Sequence, residues 1–402
     1  MTQRVRGEIP AAAPRFEKVD LLRGLSILAV VLLHCWIRFA GSDVRMGTGL
    51  PRWLRQLLLH NGGNGVTAFF AISGFLTTLT SLRRFGGLPN MRAAVFYRIR
   101  FARIAPLLVL VLAMLSFLHW GSLHFNVFEA WHVKRAVGLP RALFSALTFH
   151  LNWLEAKTGY LPANWDVMWS LSVEEMFYLF FPLVCVAFLG QHSPLRRIGW
   201  PLLFLLAATL LVLGPWARSV WITSDIGQEK SYLGGMNAIA LGCLTALLCN
   251  RLSRSAQIRR VWLYMTETAG WVLIAWFANW PTWHWLHSTN RFLGKHDLDD
   301  TLLPLGVCLV MLATVLRSAR GGILTAPLRW FGRHSYEVYL THEFLVILGV
   351  EAFLRLHGTR PGLWTLAITA ATAPLGWAVA HWFSEPMNRR LRGARPPSSV
   401  LT

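Results

Sequence analysis

The sequence predicts an all-α polytopic membrane protein with about ten transmembrane helices and both termini in the cytoplasm. Of its 402 residues, 54% are hydrophobic and 14% are charged, and the mean hydropathy is +0.43. A soluble chain of this length needs more charge to cover its surface. The apolar residues also fall in repeated runs of about 20, the length that a membrane-spanning helix requires. The 20 tryptophans cluster near the ends of these runs, as in an interfacial aromatic belt.

Ten apolar runs are predicted to span the membrane. They cover residues 21–40, 63–82, 104–120, 168–189, 200–217, 231–249, 261–280, 301–317, 335–356 and 363–384. When the connections are assigned alternately to two sides, most of the 39 Lys and Arg residues fall on one side. The positive-inside rule places that side, with both termini, in the cytoplasm. The net charge of +20 therefore reflects topology rather than nucleic-acid binding, and it suits contact with anionic lipids or an anionic substrate.

The chain is predicted to have one membrane domain, residues 20–388, between two basic cytoplasmic tails. The tails are residues 1–19 and 389–402. The largest connection, residues 121–167, is an outer loop. Within it, residues 140–153 are apolar but too short to span, so we expect a re-entrant or interfacial segment. An eleventh span there would break the charge alternation downstream.

Several distinctive residues have structural explanations. The five cysteines show no metal-type spacing and lie in or beside apolar runs, so we predict buried small side chains and no metal site. The segment GGNGVTAFFAISGF lacks the lysine and the strand context of a phosphate loop. Its Gly65, Ser73 and Gly74 are predicted to let helices approach closely.

The first span, DLLRGLSILAVVLLHCW, contains two ionisable residues that are costly in a membrane. Arg23 and His34 are eleven residues apart, about three helical turns, so both lie on nearly one face and roughly 16 Å apart along the axis. Arg23 near the cytoplasmic surface is either a snorkelling anchor or a functional cation. His34, past the bilayer centre, is either a hydrogen-bonded bundle residue or a proton-handling group.

The fourth span opens with MWSLSVEEMFYLFFP, which places two glutamates just inside an apolar helix. Ser170, Glu174 and Tyr178 share one face, whereas Glu175 points about 100° away. Glu174 either pairs with an arginine or orients His34 and stabilises its imidazolium, as an acid does behind a catalytic histidine.

Three arginines precede the third span in FYRIRFARIAP. Arg98, Arg100 and Arg103 are either a membrane-surface anchor or a cluster that grips phosphates, since guanidinium offers forked donors. Late in the chain, GRHSYEVYLTHEF opens the ninth span with four polar residues: Ser335, Tyr336, Tyr339 and His342. These side chains either satisfy interhelical hydrogen bonds or belong to a site.

Together these motifs, with SEPMNR near the end, resemble the integral membrane acyltransferase family 3, whose members O-acylate bacterial surface carbohydrates and some small molecules. The resemblance covers about residues 20–390. It implies an acyl-CoA donor, usually acetyl-CoA, with no tightly bound cofactor, and a carbohydrate or glycolipid acceptor at or across the bacterial inner membrane. The implied catalytic residues are His34, Glu174, Tyr178, Tyr339 and His342, and the implied donor-binding residues are Arg23, Arg100 and Arg103. Thr67, Met176 and Glu385-Pro386 depart from the common pattern of the family.

The implied reaction starts when His34 removes the proton of an acceptor hydroxyl, which attacks the thioester. Glu174 would fix the imidazole tautomer, and Tyr178 or Tyr339 would donate to the oxyanion. A covalent acyl-histidine relay is an alternative. A carrier or flippase of a polysaccharide export pathway, or a structural subunit, would share the architecture. Neither the acceptor nor the acyl chain is identified by the sequence, although the outer loop and residues 279–290 are expected to line the acceptor pocket.

Overall fold

The computed structural model describes residues 16–120, 137–222, 224–255, 258–279 and 299–393. Throughout these ranges the chain is helical, with turns between the helices and no β-strand. Most of the predicted N-terminal tail, part of the outer loop (121–136), the aromatic segment 280–290 and the last residues of the basic tail (394–402) lie outside the described residues.

Ten long helices follow the predicted spans. They are α1 (Glu17–Gly41), α3 (Gly62–Phe85), α4 (Ala93–Trp120), α7 (Trp169–Leu189), α8 (Gly199–Trp216), α10 (Tyr232–Ser255), α11 (Arg260–Ala278), α12 (Asp299–Leu316), α14 (Ser335–Arg355) and α15 (Pro361–Val379). Shorter helices connect or extend them: α2 (Arg52–Leu59), α5 (Leu139–Leu147), α6 (Leu151–Thr158), α9 (Asp225–Lys230), α13 (Ala326–Arg333) and α16 (Glu385–Arg392).

Seven of these helices are long and apolar enough to cross a membrane: α1, α3, α4, α7, α8, α10 and α15. The chain is therefore a multi-pass membrane protein. The other three predicted spans, α11, α12 and α14, are also helices but are shorter or more polar. In α14 the polarity has a clear source, since three glutamates and an arginine occur within its 21 residues.

The apolar segment 140–153 forms parts of two short helices rather than one span. Helix α5 has nine residues and α6 has eight, and the chain turns between them at Phe149, whose φ is 56°. At 1.5 Å per residue each helix is about 12–14 Å long, well short of the roughly 30 Å apolar thickness of a bilayer.

Close helix contacts through glycine determine how the helices around the site pack. A Cβ on Gly24 of α1 would lie 1.8 Å from the Leu328 carbonyl oxygen, and one on Gly332 of α13 would lie 1.8 Å from the Asp20 carbonyl oxygen. Both positions therefore require glycine, and the resulting backbone contact brings the start of α14 against Arg23.

The prediction that small residues in the second span allow close packing is confirmed at two positions. A Cβ on Gly65 would lie 2.6 Å from the Ser26 carbonyl oxygen of α1, and one on Gly74 would lie 2.1 Å from the Ile239 carbonyl oxygen of α10. Ser73 is different, because its hydroxyl hydrogen-bonds to another helix, as described below. Helix α3 is thus held between α1 and α10 at the centre of the bundle.

Candidate active site

A cavity of about 340 Å³ opens between α1, α3, α4, α7 and α14, and Arg392 of α16 also lines it. Its polar wall is one face of α3, where Ser73, Thr77, Thr80, Ser81 and Arg84 all contribute. Ser73 and Arg84, at the two ends of this stripe, are eleven residues apart, or roughly 16 Å along the helix. Val66 and Phe69 extend the lining further toward the start of α3, so the cavity is an elongated channel that is apolar at one end.

Five arginines line this channel: Arg23, Arg84, Arg100, Arg103 and Arg392. Three of them, Arg84, Arg103 and Arg392, form what we call the basic mouth. Among the described residues, no carboxylate lies within 4.0 Å of these three guanidinium groups or of Arg100. A concentration of guanidinium groups without carboxylate partners is a suitable site for phosphates.

Each of the two deeper arginines hydrogen-bonds to a hydroxyl group. Arg23 donates to the Ser335 hydroxyl at 2.8 Å, and Asp20 lies 3.9 Å away, one turn before it. Arg100 donates to Thr77 Oγ1, and its guanidinium carbon lies 4.1 Å from the centroid of the Tyr178 ring. The side chains are held in place while both keep their positive charge available to a ligand.

Glu174 and Tyr178 form a hydrogen-bonded chain on the channel wall. The Tyr178 hydroxyl donates to Glu174 Oε2 at 3.0 Å, and Ser73 Oγ lies 2.5 Å from the same hydroxyl oxygen. Because the Tyr178 proton is directed to Glu174, Ser73 is the donor in the second bond. Glu175 also lines the channel, and its buried Oε1 has no hydrogen-bond partner among the described residues.

The two predicted histidines are neighbours. His342 Nε2 lies 3.3 Å from His34 Nδ1, and the ring centroids are 4.9 Å apart. His342 Nδ1 lies 2.7 Å from the Tyr339 carbonyl oxygen, so in the neutral ring Nδ1 carries the proton and Nε2 accepts. His34 Nδ1 lies 2.8 Å from the Val30 carbonyl oxygen and must likewise be a donor. The Nε2 atom of His34 is then left with a free lone pair, as a general base requires.

A buried carboxylate faces this lone pair. Glu343 Oε1 lies 3.7 Å from His34 Nε2, and the Glu343 side chain is fully buried, whereas that of His34 is 14% exposed. Arg38 binds both Glu343 oxygens, at 3.2 and 3.3 Å, and compensates their charge when His34 is neutral. Once His34 takes a proton, Glu343 stabilises the imidazolium.

The prediction that Glu174 orients His34 is wrong. Glu174 is bonded to Tyr178, and the acid next to His34 is Glu343. The sequence carried a signal for this, because Glu343 directly follows His342 and Arg38 is one helical turn after His34. Both are additional ionisable residues within apolar helices, and such residues are expected to pair.

Tyr339 connects the channel to the histidines. It lines the channel, and its ring centroid lies 5.9 Å from that of His342, although neither histidine lines the channel. Its hydroxyl donates to the Val167 carbonyl oxygen at 2.8 Å and accepts from Ser170 at 2.7 Å. The hydroxyl protons of Tyr178 and Tyr339 are already donated to Glu174 and to the Val167 carbonyl oxygen. Either tyrosine must break that hydrogen bond before it can donate to an oxyanion.

Eight residues were predicted to form the site. Two of them, His34 and His342, form a pair beyond the apolar end of the channel. The other six line the channel: Arg23, Arg100, Arg103, Glu174, Tyr178 and Tyr339.

The sequence pattern of acyltransferase family 3, which is described as an acyltransferase domain, matches residues 16–381. The chain belongs to this family. The resemblance noted from its motifs is thereby confirmed.

Similar proteins are O-acetyltransferases of bacteria. The chain is 23% identical over 360 residues to O-acetyltransferase OatA of Staphylococcus aureus (strain NCTC 8325 / PS 47), an alignment that covers 83% of this chain and 51% of the relative. It is 24% identical over 367 residues to peptidoglycan O-acetyltransferase OatA of Listeria monocytogenes serovar 1/2a (strain ATCC BAA-679 / EGD-e), covering 88% and 52%. The chain thus spans about half the length of these relatives. No solved structure matches it.

Proposed function

We propose that this protein transfers an acyl group, most simply acetyl, from acyl-CoA to a hydroxyl of a carbohydrate or glycolipid. One observation carries the proposal: a channel lined by five arginines ends at Tyr339, which packs against His342 of a histidine pair, and Nε2 of the other member, His34, faces a buried carboxylate. Such a channel suits a long donor that is polyanionic at one end and reactive at the other. The names of the relatives support acetyl as the group and a cell-wall sugar as one class of acceptor.

The proposed topology has ten spans with both termini in the cytoplasm of a bacterial cell, in its inner membrane. The excess of Lys and Arg on one set of connections supports this orientation. In this orientation the basic mouth faces the cytoplasm, where acyl-CoA is made. His34 then lies roughly 16 Å deeper in the membrane than Arg23 along α1. The acceptor would then approach His34 from the opposite side.

In the proposed reaction His34 Nε2 removes the proton of the acceptor hydroxyl, and the hydroxyl oxygen attacks the thioester carbonyl carbon. The tetrahedral intermediate collapses with cleavage of the carbon–sulfur bond, and the imidazolium returns its proton to the thiolate of CoA. Glu343 stabilises the imidazolium, and His342 and the Val30 carbonyl oxygen hold the ring through Nδ1. Arg23, Arg100 and Arg103 bind the phosphates of the donor.

Purified protein in detergent provides the test, with acetyl-CoA as donor and a panel of glycans as acceptors. We expect release of the CoA thiol together with acetylated glycan, and no transfer by His34→Ala. His60→Ala is the matched control, because His60 packs its ring on Trp36 of α1 but lies outside the site. Full activity of His34→Ala would refute the mechanism. A protein that moves a glycan across vesicles without cleaving acetyl-CoA would instead be a carrier.

A further inference from the structure

The basic mouth contains more positive charge than one phosphate group needs. Coenzyme A carries its charge in two places, the diphosphate that leads to the pantetheine arm and a separate phosphate on the 3′ position of the adenosine ribose. The arginines of the channel are also at two depths: Arg23 and Arg100 lie inside, bonded to Ser335 and Thr77, whereas the mouth lies at the far end of the α3 stripe.

The mouth lacks a neutralising partner within the described chain. Arg84 and Arg103 are exposed and Arg392 is half-buried, and the Nε atom of Arg392 is buried without a hydrogen-bond partner among the described residues. Three guanidinium groups that line one opening repel each other unless an anion lies between them. A phosphomonoester, with two negative charges and three acceptor oxygens, is such an anion.

The surface next to the mouth has room for a nucleoside. A channel of about 340 Å³ is at the low end of the range of roughly 300–1,000 Å³ for small-molecule sites, so a donor as large as coenzyme A must extend beyond it. An open groove continues from the mouth, and Arg84 and Phe85 line both the channel and the groove. Asn90 and Gln191, which hydrogen-bond each other at 3.0 Å, supply amide groups along the groove.

A π-helical turn between α15 and α16 positions Arg392 at the mouth. Helix α15 ends in a π-helical turn at Ala380–Ser384, a feature that is frequent at functional sites, and α16 then packs against α4. This packing brings Arg392 to the same cavity as Arg103 of α4. Residue 392 lies beyond the segment 16–381 that the family pattern matches.

We propose that Arg392 and Arg84 bind the 3′-phosphate of the donor, so that the protein selects CoA thioesters over their 3′-dephospho analogues. This inference rests on the proposed function. Arg23, Arg100 and Arg103 then bind the diphosphate, and the adenosine lies in the groove beside Arg84.

The experiment compares acetyl-CoA with acetyl-3′-dephospho-CoA as donors for the purified protein. We expect the wild-type KM to be at least about tenfold higher for the dephospho donor, because both arginines lose a charge-assisted contact. Arg392→Gln should raise the KM for acetyl-CoA part of the way to the dephospho value, since Arg84 keeps its contact, without changing the KM for the dephospho donor, and Arg392→Lys should restore part of the difference. Arg389→Gln is the matched control, since Arg389 lies on the same helix but is exposed and paired with Glu385.

Each other outcome overturns the inference. Equal KM values for the two donors in the wild type would leave the acyltransferase intact but without a 3′-phosphate subsite. If Arg392→Gln raised the KM values for both donors equally, Arg392 would have a structural role or bind an anionic lipid, and it would not bind the 3′-phosphate. No transfer from either donor by the wild type would refute the proposed function as well. Stronger thermal stabilisation of the wild type by CoA than by the same concentration of 3′-dephospho-CoA gives a readout that needs no variant, and equal stabilisation by the two ligands would contradict the subsite.

Discussion

Glu343→Gln tests whether Glu343, rather than Glu174, is the acid that acts on His34. The substitution removes the charge next to His34 while keeping the shape of the side chain. At the observed 3.7 Å, a carboxylate and an imidazolium attract each other by about 4 kcal/mol at an effective dielectric constant of about 20. Arg38 shares the same carboxylate, so we assign roughly half of this, about 2 kcal/mol, to His34. The corresponding loss in kcat is about 30-fold.

The assay is steady-state acetyl transfer with acetyl-CoA varied, which separates kcat from KM. The arginines proposed to bind the donor are untouched, so KM should stay within about twofold while kcat falls. Glu351→Gln, on the same helix, is the matched control, because Glu351 pairs with the exposed Arg355. An unchanged kcat in Glu343→Gln would refute the role of Glu343. The double variant Arg38→Gln/Glu343→Gln distinguishes loss of charge from loss of folding. It removes both buried charges, so its thermal stability should recover relative to Glu343→Gln while its kcat stays low.

Three further predictions concern binding and packing. Arg100→Lys should raise the KM for acetyl-CoA about tenfold with little change in kcat, measured by the same assay, because a point charge replaces a forked donor. Gly332→Ala should lower the melting temperature in detergent, since its Cβ would lie 1.8 Å from the Asp20 carbonyl oxygen. Lys230→Met should destabilise the fold by about 3–5 kcal/mol in denaturant unfolding, because Lys230 is buried against Glu155 at 2.8 Å and also binds Asp166.

Each of these predictions has a matched control substitution. Arg98→Lys changes an exposed arginine of α4 that does not line the channel, and Gly63→Ala places a Cβ where no atom lies within 4 Å. Lys157→Met changes a lysine of α6 that makes no ion pair among the described residues. An effect as large in a control as in its partner variant would contradict the corresponding explanation.

The membrane helices were predictable from the sequence because apolar runs of about 20 residues are local signals. The ten predicted runs all fall on helices, and Arg23 and His34 lie on α1 as the helical periodicity required. The close contacts of Gly65 and Gly74 were also predictable, since small residues in membrane helices favour backbone approach.

The pairing of side chains between helices was not predictable, because it depends on which helices pack together and at what height. Glu174 and Glu343 are both glutamates in apolar helices, and the adjacency of Glu343 to His342 does not by itself show which glutamate lies next to His34. Only the packing of α14 against α1 places Glu343 there. Arg392 was missed for a similar reason, since its position depends on the π-helical turn before α16.

The central claim is that acyl transfer to a carbohydrate takes place at His34. Mass spectrometry of surface glycans from cells that lack the gene, complemented with the wild type or with His34→Ala, tests it most directly. We expect O-acetyl groups to disappear on deletion, to return with the wild type and to stay absent with a normally expressed His34→Ala protein. Restoration of O-acetylation by His34→Ala would contradict the account.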